Sequence, residues 1–227
     1  MADNKELEAI LVDLDGVLAN FLLGALRVFD REDLYHNWPV GQWGIAEVLG
    51  VNTTQFWCAI SERGYRFWED LPEYPWTREL WAVLQEIAND QHAKLIVCTA
   101  PSRDPECAKG KVMWMHRVFG PKFMDFVITN KKFLMAKEKA ILIDDREDTV
   151  IRFCAEGGFG MLFPGRTNSY GLEPTTDIVM EAIVEPILRG LAGEPLDTMF
   201  PYRNPECSER FDKFFGKMCN AIYRGVY

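Results

Sequence analysis

The stretch "ILVDLDGVLAN", residues 10–20, decides the fold. An apolar run leads into two aspartates, Asp13 and Asp15, one residue apart, and Gly16 follows at once. A short run that is apolar throughout reads as a strand covered on both faces. Carboxylates this close repel each other and resist burial. Their place at the end of such a strand therefore needs a chemical reason.

Working outward, four more runs of the same kind appear. With the first, residues 8–13, they are "KLIVCT" (94–99), "DFVIT" (125–129), "AILID" (140–144) and "GMLF" (160–163). Helical spacing separates the later ones, over 106–118 and over 147–156, where Arg152 and Glu156 fall on an exposed face. Strands alternating with helices predict an α/β fold with a Rossmann-like parallel sheet and right-handed crossovers. About eighty residues part the first two strands, far more than one crossover helix requires. Residues 78–90 supply that helix. Residues 19–75 then form a small helical cap, and residues 1–18 and 76–227 the core with a C-terminal helical extension. The cap is rich in aromatics, among them Phe21, Phe29, Trp38, Trp43, Phe56, Trp57, Tyr65, Phe67 and Trp68. Most should build its own small core, and one or two could face a ligand. Beyond the last strand come the turn-rich loop "FPGRTNSYG" and a helical pattern at about 175–192. The amphipathic segment 207–227 closes the chain. It either covers the core or pairs subunits into a homodimer.

Bulk properties narrow the class. The chain has 227 residues, nearly half of them hydrophobic, enough for a full core without disulfides. Its formal net charge of −9 disfavours nucleic-acid polymers and anionic membranes. A small anionic substrate can still bind where a metal ion or local cations reverse the sign. The six cysteines, Cys58, Cys98, Cys107, Cys154, Cys207 and Cys219, include no Cys-x-x-Cys pair. They read as free thiols of a reducing compartment. The first residues lack a signal-peptide pattern. No apolar segment approaches the ~18 residues of a membrane span. A cytoplasmic protein is expected.

The polar residues converge at strand ends. Asp13 ends the first strand, Thr99 the second and Asp144 the fourth, with Asp145 beside it. Ligands of open parallel sheets bind beyond the carboxyl ends of the strands, so these residues should meet on one edge. Four clustered aspartates cannot all ionise without compensation. Oxygen-only donors suit Mg²⁺, and the absence of His or Cys from the set disfavours zinc.

On these residues the sequence resembles the haloacid dehalogenase-like phosphohydrolases. "DLDGV" is similar to their first motif, "LIVCT" to the second and "ILIDD" to the fourth. Their third motif, a lysine, is best placed at Lys111, with Lys109 as the rival. More narrowly, "DLDGVLANF", "CTAP", the "FGP" after a lysine-bearing helix, "LIDDRED" and "FWEDLPEYP" resemble the 5'(3')-deoxyribonucleotidase family.

That resemblance implies phosphoryl transfer through an aspartyl-phosphate. Asp13 would be the nucleophile and Asp15 the general acid and base. Thr99 would bond a phosphate oxygen, and Lys111 would offset the charge of the phosphate and Asp13. Mg²⁺ would be held by Asp13, the Asp15 carbonyl and Asp144. Asp145 would stand just outside, or exchange roles with Asp144. Gly16, Phe21, Trp68, Ala100 and Arg146 would touch the substrate, Gly16 by turning the chain and exposing backbone N–H groups. Trp68 is at the place of an aromatic that packs on the nucleoside. Arg146 could equally form a surface ion pair. Ser102 and Arg103 either touch phosphate or only open a helix. "NKK" at 130–132 could supply cations at the third strand's end, although a solvated loop is the better reading, and His36, His92 and His116 receive no catalytic role. The substrate implied is a deoxyribonucleoside monophosphate. The core motifs would equally serve another small phosphomonoester.

Overall fold

A computed structural model describes residues 7–193. Its centre is β1, Ala9–Val12, every residue of it buried. β1 pairs in parallel with β2, Lys94–Thr99, on one side and with β4, Ala140–Asp144, on the other. β3, Phe126–Ile128, adds beside β2, and β5, Phe159–Leu162, beside β4. The five parallel strands thus run β3-β2-β1-β4-β5. The lack of alternation in the first run has a direct cause. Ile10 and Val12 enter the core on one face, while Ala9 and Leu11 pack with Leu142 and Phe153 on the other.

Five short helices fill the long first connection. They are α1 Phe21–Val28, α2 Asp33–His36, α3 Ile45–Val48, α4 Thr53–Ser61 and α5 Tyr65–Glu69. Asn20 caps α1, its side chain accepting from Leu23 N–H at 2.9 Å. Asn52 and Gln55 form a reciprocal capping box on α4. The chain then returns next to where it left. Asn20 N–H donates to the Pro72 carbonyl at 2.8 Å, Tyr74 N–H to Leu18 at 3.1 Å and Trp76 Nε1 to Val17 at 2.9 Å. The long α6, Thr77–Asp90, then crosses to β2. α7, Pro105–Phe119, joins β2 to β3. α8, Glu147–Ala155, joins β4 to β5. Arg152 on it is exposed, as its spacing requires.

α5 lies directly on α7. A Cβ on Gly110 would come within 2.2 Å of the Tyr65 carbonyl oxygen and 2.6 Å of Trp68 Cβ. Only glycine permits that approach. After β5 follow α9 Thr176–Val179, a wider π turn at Met180–Val184 and α10 Glu185–Leu191. The segment 207–227 lies outside the described residues, as do Cys207 and Cys219. Cys58, Cys98, Cys107 and Cys154 are free thiols. Among the described residues no helix is long and apolar enough to cross a membrane.

Candidate active site

β1 and β4 end side by side, and their acids meet there. Asp13 follows β1 and stays in register, its N–H donating to the Ile143 carbonyl at 2.9 Å. Asp144 ends β4 and is fully buried. Asp13, Asp144 and Asp145 each offer a carboxylate oxygen within 4.8 Å of the others. Asp144 and Asp145 thus border the same point, which leaves room for either order of the two acids. Asp145 reaches it because residue 16 is glycine. A Cβ there would lie 1.9 Å from Asp145 Oδ2, and Gly16 has φ +81°. Its own N–H is taken by the Ala19 carbonyl at 2.9 Å. Gly16 thus makes room for Asp145, and its N–H is engaged within its own turn.

Two buried lysines divide the acids. Lys111, on α7, has 1% of its side chain exposed and donates to Asp15 Oδ2 at 2.6 Å. It also donates to Thr99 Oγ1 at 2.8 Å and to the Ala100 carbonyl at 2.6 Å. It makes no ion pair with Asp13, contrary to expectation. That place belongs to Lys132, whose Nζ lies 2.8 Å from Asp13 Oδ1 and 2.6 Å from Asp144 Oδ2. Lys132 is buried in a short 3₁₀ turn, Lys132–Met135, just past β3. The reading of "NKK" as a solvated loop fails for it and holds for exposed Lys131. The other reading of "NKK", a source of cations at the third strand's end, is the one Lys132 fits, at the same strand-end edge as the acids. Lys109, the rival to Lys111, is half exposed, beside Glu106 and over the Tyr65 ring.

The electrostatics follow from burial. Burial pushes the Asp15 carboxyl up, Lys111 opposes it, and neighbouring Asp13 adds to the rise. A quarter of the Asp15 side chain is exposed. Its Oδ1 is nevertheless buried and meets no hydrogen-bond partner among the described residues. Burial lifts Asp144 to about 6 against the pull of Lys132. It lifts Asp145 well above the usual carboxylate range, with Asp144 and Asp13 adding to it. For Lys132, burial works against the charged form. Asp13 and Asp144 outweigh it and hold the ammonium above the ordinary lysine value.

The remaining expected residues spread around this centre. Trp68 is 3% exposed, with the Lys111 ammonium 5.0 Å from its ring centre and Phe21 stacked on it at 5.6 Å. Its faces are therefore occupied, and it offers no open platform. Phe21 is half-buried and also meets Trp57 at 6.2 Å, and Trp57 is exposed. Ala100 presents its carbonyl to Lys111. Arg146 forms a two-pronged ion pair with Asp148 and lies 5.5 Å from the Trp43 ring centre. Its backbone N–H supports Asp144 Oδ1 at 3.0 Å. Ser102 serves the turn that opens α7, where its hydroxyl accepts from Asp104 N–H at 3.1 Å. Asn168 had no sequence signal beyond its place in a polar loop. It is buried and donates to the Asp145 carbonyl at 2.9 Å and the Phe163 carbonyl at 2.8 Å.

Buried aspartates split between two lysines at the end of a parallel sheet, with a helical insertion beside them, can be compared with known proteins. Residues 7–173 match the family model "5' nucleotidase, deoxy (Pyrimidine), cytosolic type C protein". The chain belongs to this NT5C family. The match takes in both lysines, all four acids and the whole insertion. The chain is 30% identical over 157 residues to the mitochondrial 5'(3')-deoxyribonucleotidase of Mus musculus, covering 61% of this chain and 64% of that one. The Homo sapiens protein of the same name gives 30% over 157 residues, covering 61% and 62%. The chain therefore spans less than two thirds of the length of these curated relatives. Among solved structures, a putative beta-phosphoglucomutase from Thermotoga maritima matches at 20% identity and a TM-score of 0.46. It covers 82% of this chain and 99% of that one. CbbY of Rhodobacter sphaeroides matches at 17% and 0.48, with coverage of 82% and 99%.

Proposed function

We propose that this NT5C-family chain is a Mg²⁺-dependent 5'-nucleotidase that hydrolyses deoxyribonucleoside monophosphates through an aspartyl-phosphate. The observation that carries the reading is the division of the acids between Lys132 and Lys111. Asp13 has its Oδ1 fixed by Leu14 N–H at 2.7 Å and by Lys132, and its Oδ2 attacks phosphorus. A carboxylate is a weak nucleophile, so rigid alignment supplies much of the rate. Asp15 starts protonated, consistent with its raised pKa, and its partnerless Oδ1 carries the proton to the leaving nucleoside oxygen. Ionised Asp15 then takes a proton from the water that splits the acyl phosphate. Thr99 and Lys111 hold phosphate oxygens, and Lys132 limits charge build-up at Asp13.

The donor set fits a hard divalent cation: buried carboxylate oxygens converge, and burial, with neighbouring carboxylates adding to it, pushes Asp144 and Asp145 up. Asp13, Asp144, Asp145 and the Asp15 carbonyl would hold Mg²⁺. When bound, it would neutralise charge on the transferring phosphoryl group. We assign residues 19–75 to the cap, where Phe21 and Trp57 offer apolar surface to a nucleoside. Trp68 backs Phe21 and holds Lys111, and Arg146 borders the cleft opposite Trp43. We place the protein in the cytoplasm, which the free thiols support, although the two relatives are mitochondrial by name. The test is phosphate release from a panel of nucleoside monophosphates with Mg²⁺ and with chelator. Release that requires the metal is expected. A protein that frees no phosphate from any of them would not be a nucleotidase.

A further inference from the structure

Arg166 has no part in the chemistry above, yet it is held near it. It lies in the loop after β5, which Asn168 ties to the Asp145 backbone. Only 13% of its side chain is exposed. Its guanidinium covers the Tyr35 ring of α2, with Cζ 4.7 Å from the ring centre. Nη2 pairs with Glu173, which His36 approaches at 3.8 Å. Nε is buried and meets no acceptor among the described residues. Buried donors without acceptors are rare, and such a donor calls for a partner or a functional role. The neighbourhood borders that of the reaction, since Asn168, two residues further on, holds the carbonyl of Asp145 at 2.9 Å.

The charge balance indicates the kind of acceptor. Glu173 offsets Arg166, so the pair attracts a second phosphate weakly. A neutral oxygen beside an aromatic surface suits this donor better. We propose that Arg166 is a specificity residue that donates from Nε to a carbonyl oxygen of the substrate's nucleobase. This rests on the nucleotide reading above. Adenine, the one common base without a carbonyl, gains nothing from the contact.

The experiment compares 5'-monophosphates of deoxyuridine, deoxyguanosine and deoxyadenosine with p-nitrophenyl phosphate, which has no base. Arg166→Met should raise KM for the first two by about tenfold or more relative to the last two, with kcat changing less. Arg166→Lys, which keeps a donor, should recover part of the loss. An equal change for all four substrates would overturn the proposal, because a merely structural role predicts it. So would a larger effect on a nucleoside 3',5'-bisphosphate, because Arg166 would then read an anion. Wild-type protein that cleaves only p-nitrophenyl phosphate would remove the nucleotide reading and this inference together. If circular dichroism shows that Arg166→Met does not fold, Glu173→Gln replaces it. A KM rise confined to the carbonyl-bearing nucleotides is then expected, and a uniform change again overturns the assignment.

Discussion

Lys132 illustrates what a single residue does at this sheet edge. A fully buried Asp144 and a nearly buried Asp13 would repel strongly without a cation between them. Lys132 contacts both within 2.8 Å. Lys132→Met removes that contact and leaves the pair uncompensated, a change that costs ~3–5 kcal/mol when a buried ion pair loses one member. Turnover should fall by roughly 10²-fold or more even where the protein stays folded, as for loss of one preorganised charge-stabilising group. Steady-state rates at saturating Mg²⁺, alongside thermal melts, separate the two effects. A variant that melts early but turns over normally would confine Lys132 to stability. The acids at this edge were legible in the sequence because several apolar runs end in Asp or Thr together, a convergence with few bland explanations. Lys132 was legible only as the second reading of "NKK", because a lysine in a polar loop after a short strand has many. Burial came from the 3₁₀ turn, which no local pattern announced.

At the scale of elements, the α5–α7 contact decides where Lys111 points. Lys109 and Lys111 flank Gly110, and the Tyr65 backbone presses against that glycine. The close approach brings Trp68 under the Lys111 ammonium and leaves Lys109 on the outer side. Gly110→Ala would push a methyl into the Tyr65 carbonyl, and the helices would have to part. A loss of ~1–3 kcal/mol is expected from such overpacking, with a lower kcat as Lys111 shifts from Asp15. Denaturant titration and kinetics on the same preparation check both. An unchanged midpoint with normal turnover would mean the helices separate without cost. The strands and long helices were readable because their apolar periods differ. Which helix of the insertion touches which core element was not, since helices of four or five residues carry too few positions to show a face. Trp68 shows the consequence. Its sequence position suggested an open stacking ring, and packing against Phe21 and Lys111 covers it.

For the whole molecule, the buried acids tie stability to pH and, on the proposed reading, to metal. Asp144 is fully buried, and its carboxyl is pushed up to about 6, with burial the main cause. Unfolding returns it to the ordinary value near 3.8. The unfolded state therefore releases this proton first as pH rises. Below that value the folded state keeps its full advantage, and the advantage is lost as pH climbs through about 6. The loss is on the order of 3 kcal/mol for this one group, or several degrees in Tm for a chain of this size. Asp15 and Asp145, also raised by burial, add in the same direction. On the proposed reading Mg²⁺ would bind the ionised acids of the folded state, so its stabilisation should grow over the same pH window. Melts in chelator between pH 5 and pH 8 should show wild type losing ground to Asp144→Asn as pH rises, with Mg²⁺ restoring wild type alone. Parallel pH curves for the two proteins in chelator would show that the Asp144 carboxyl titrates alike folded and unfolded, and the linkage between metal, pH and fold would fall.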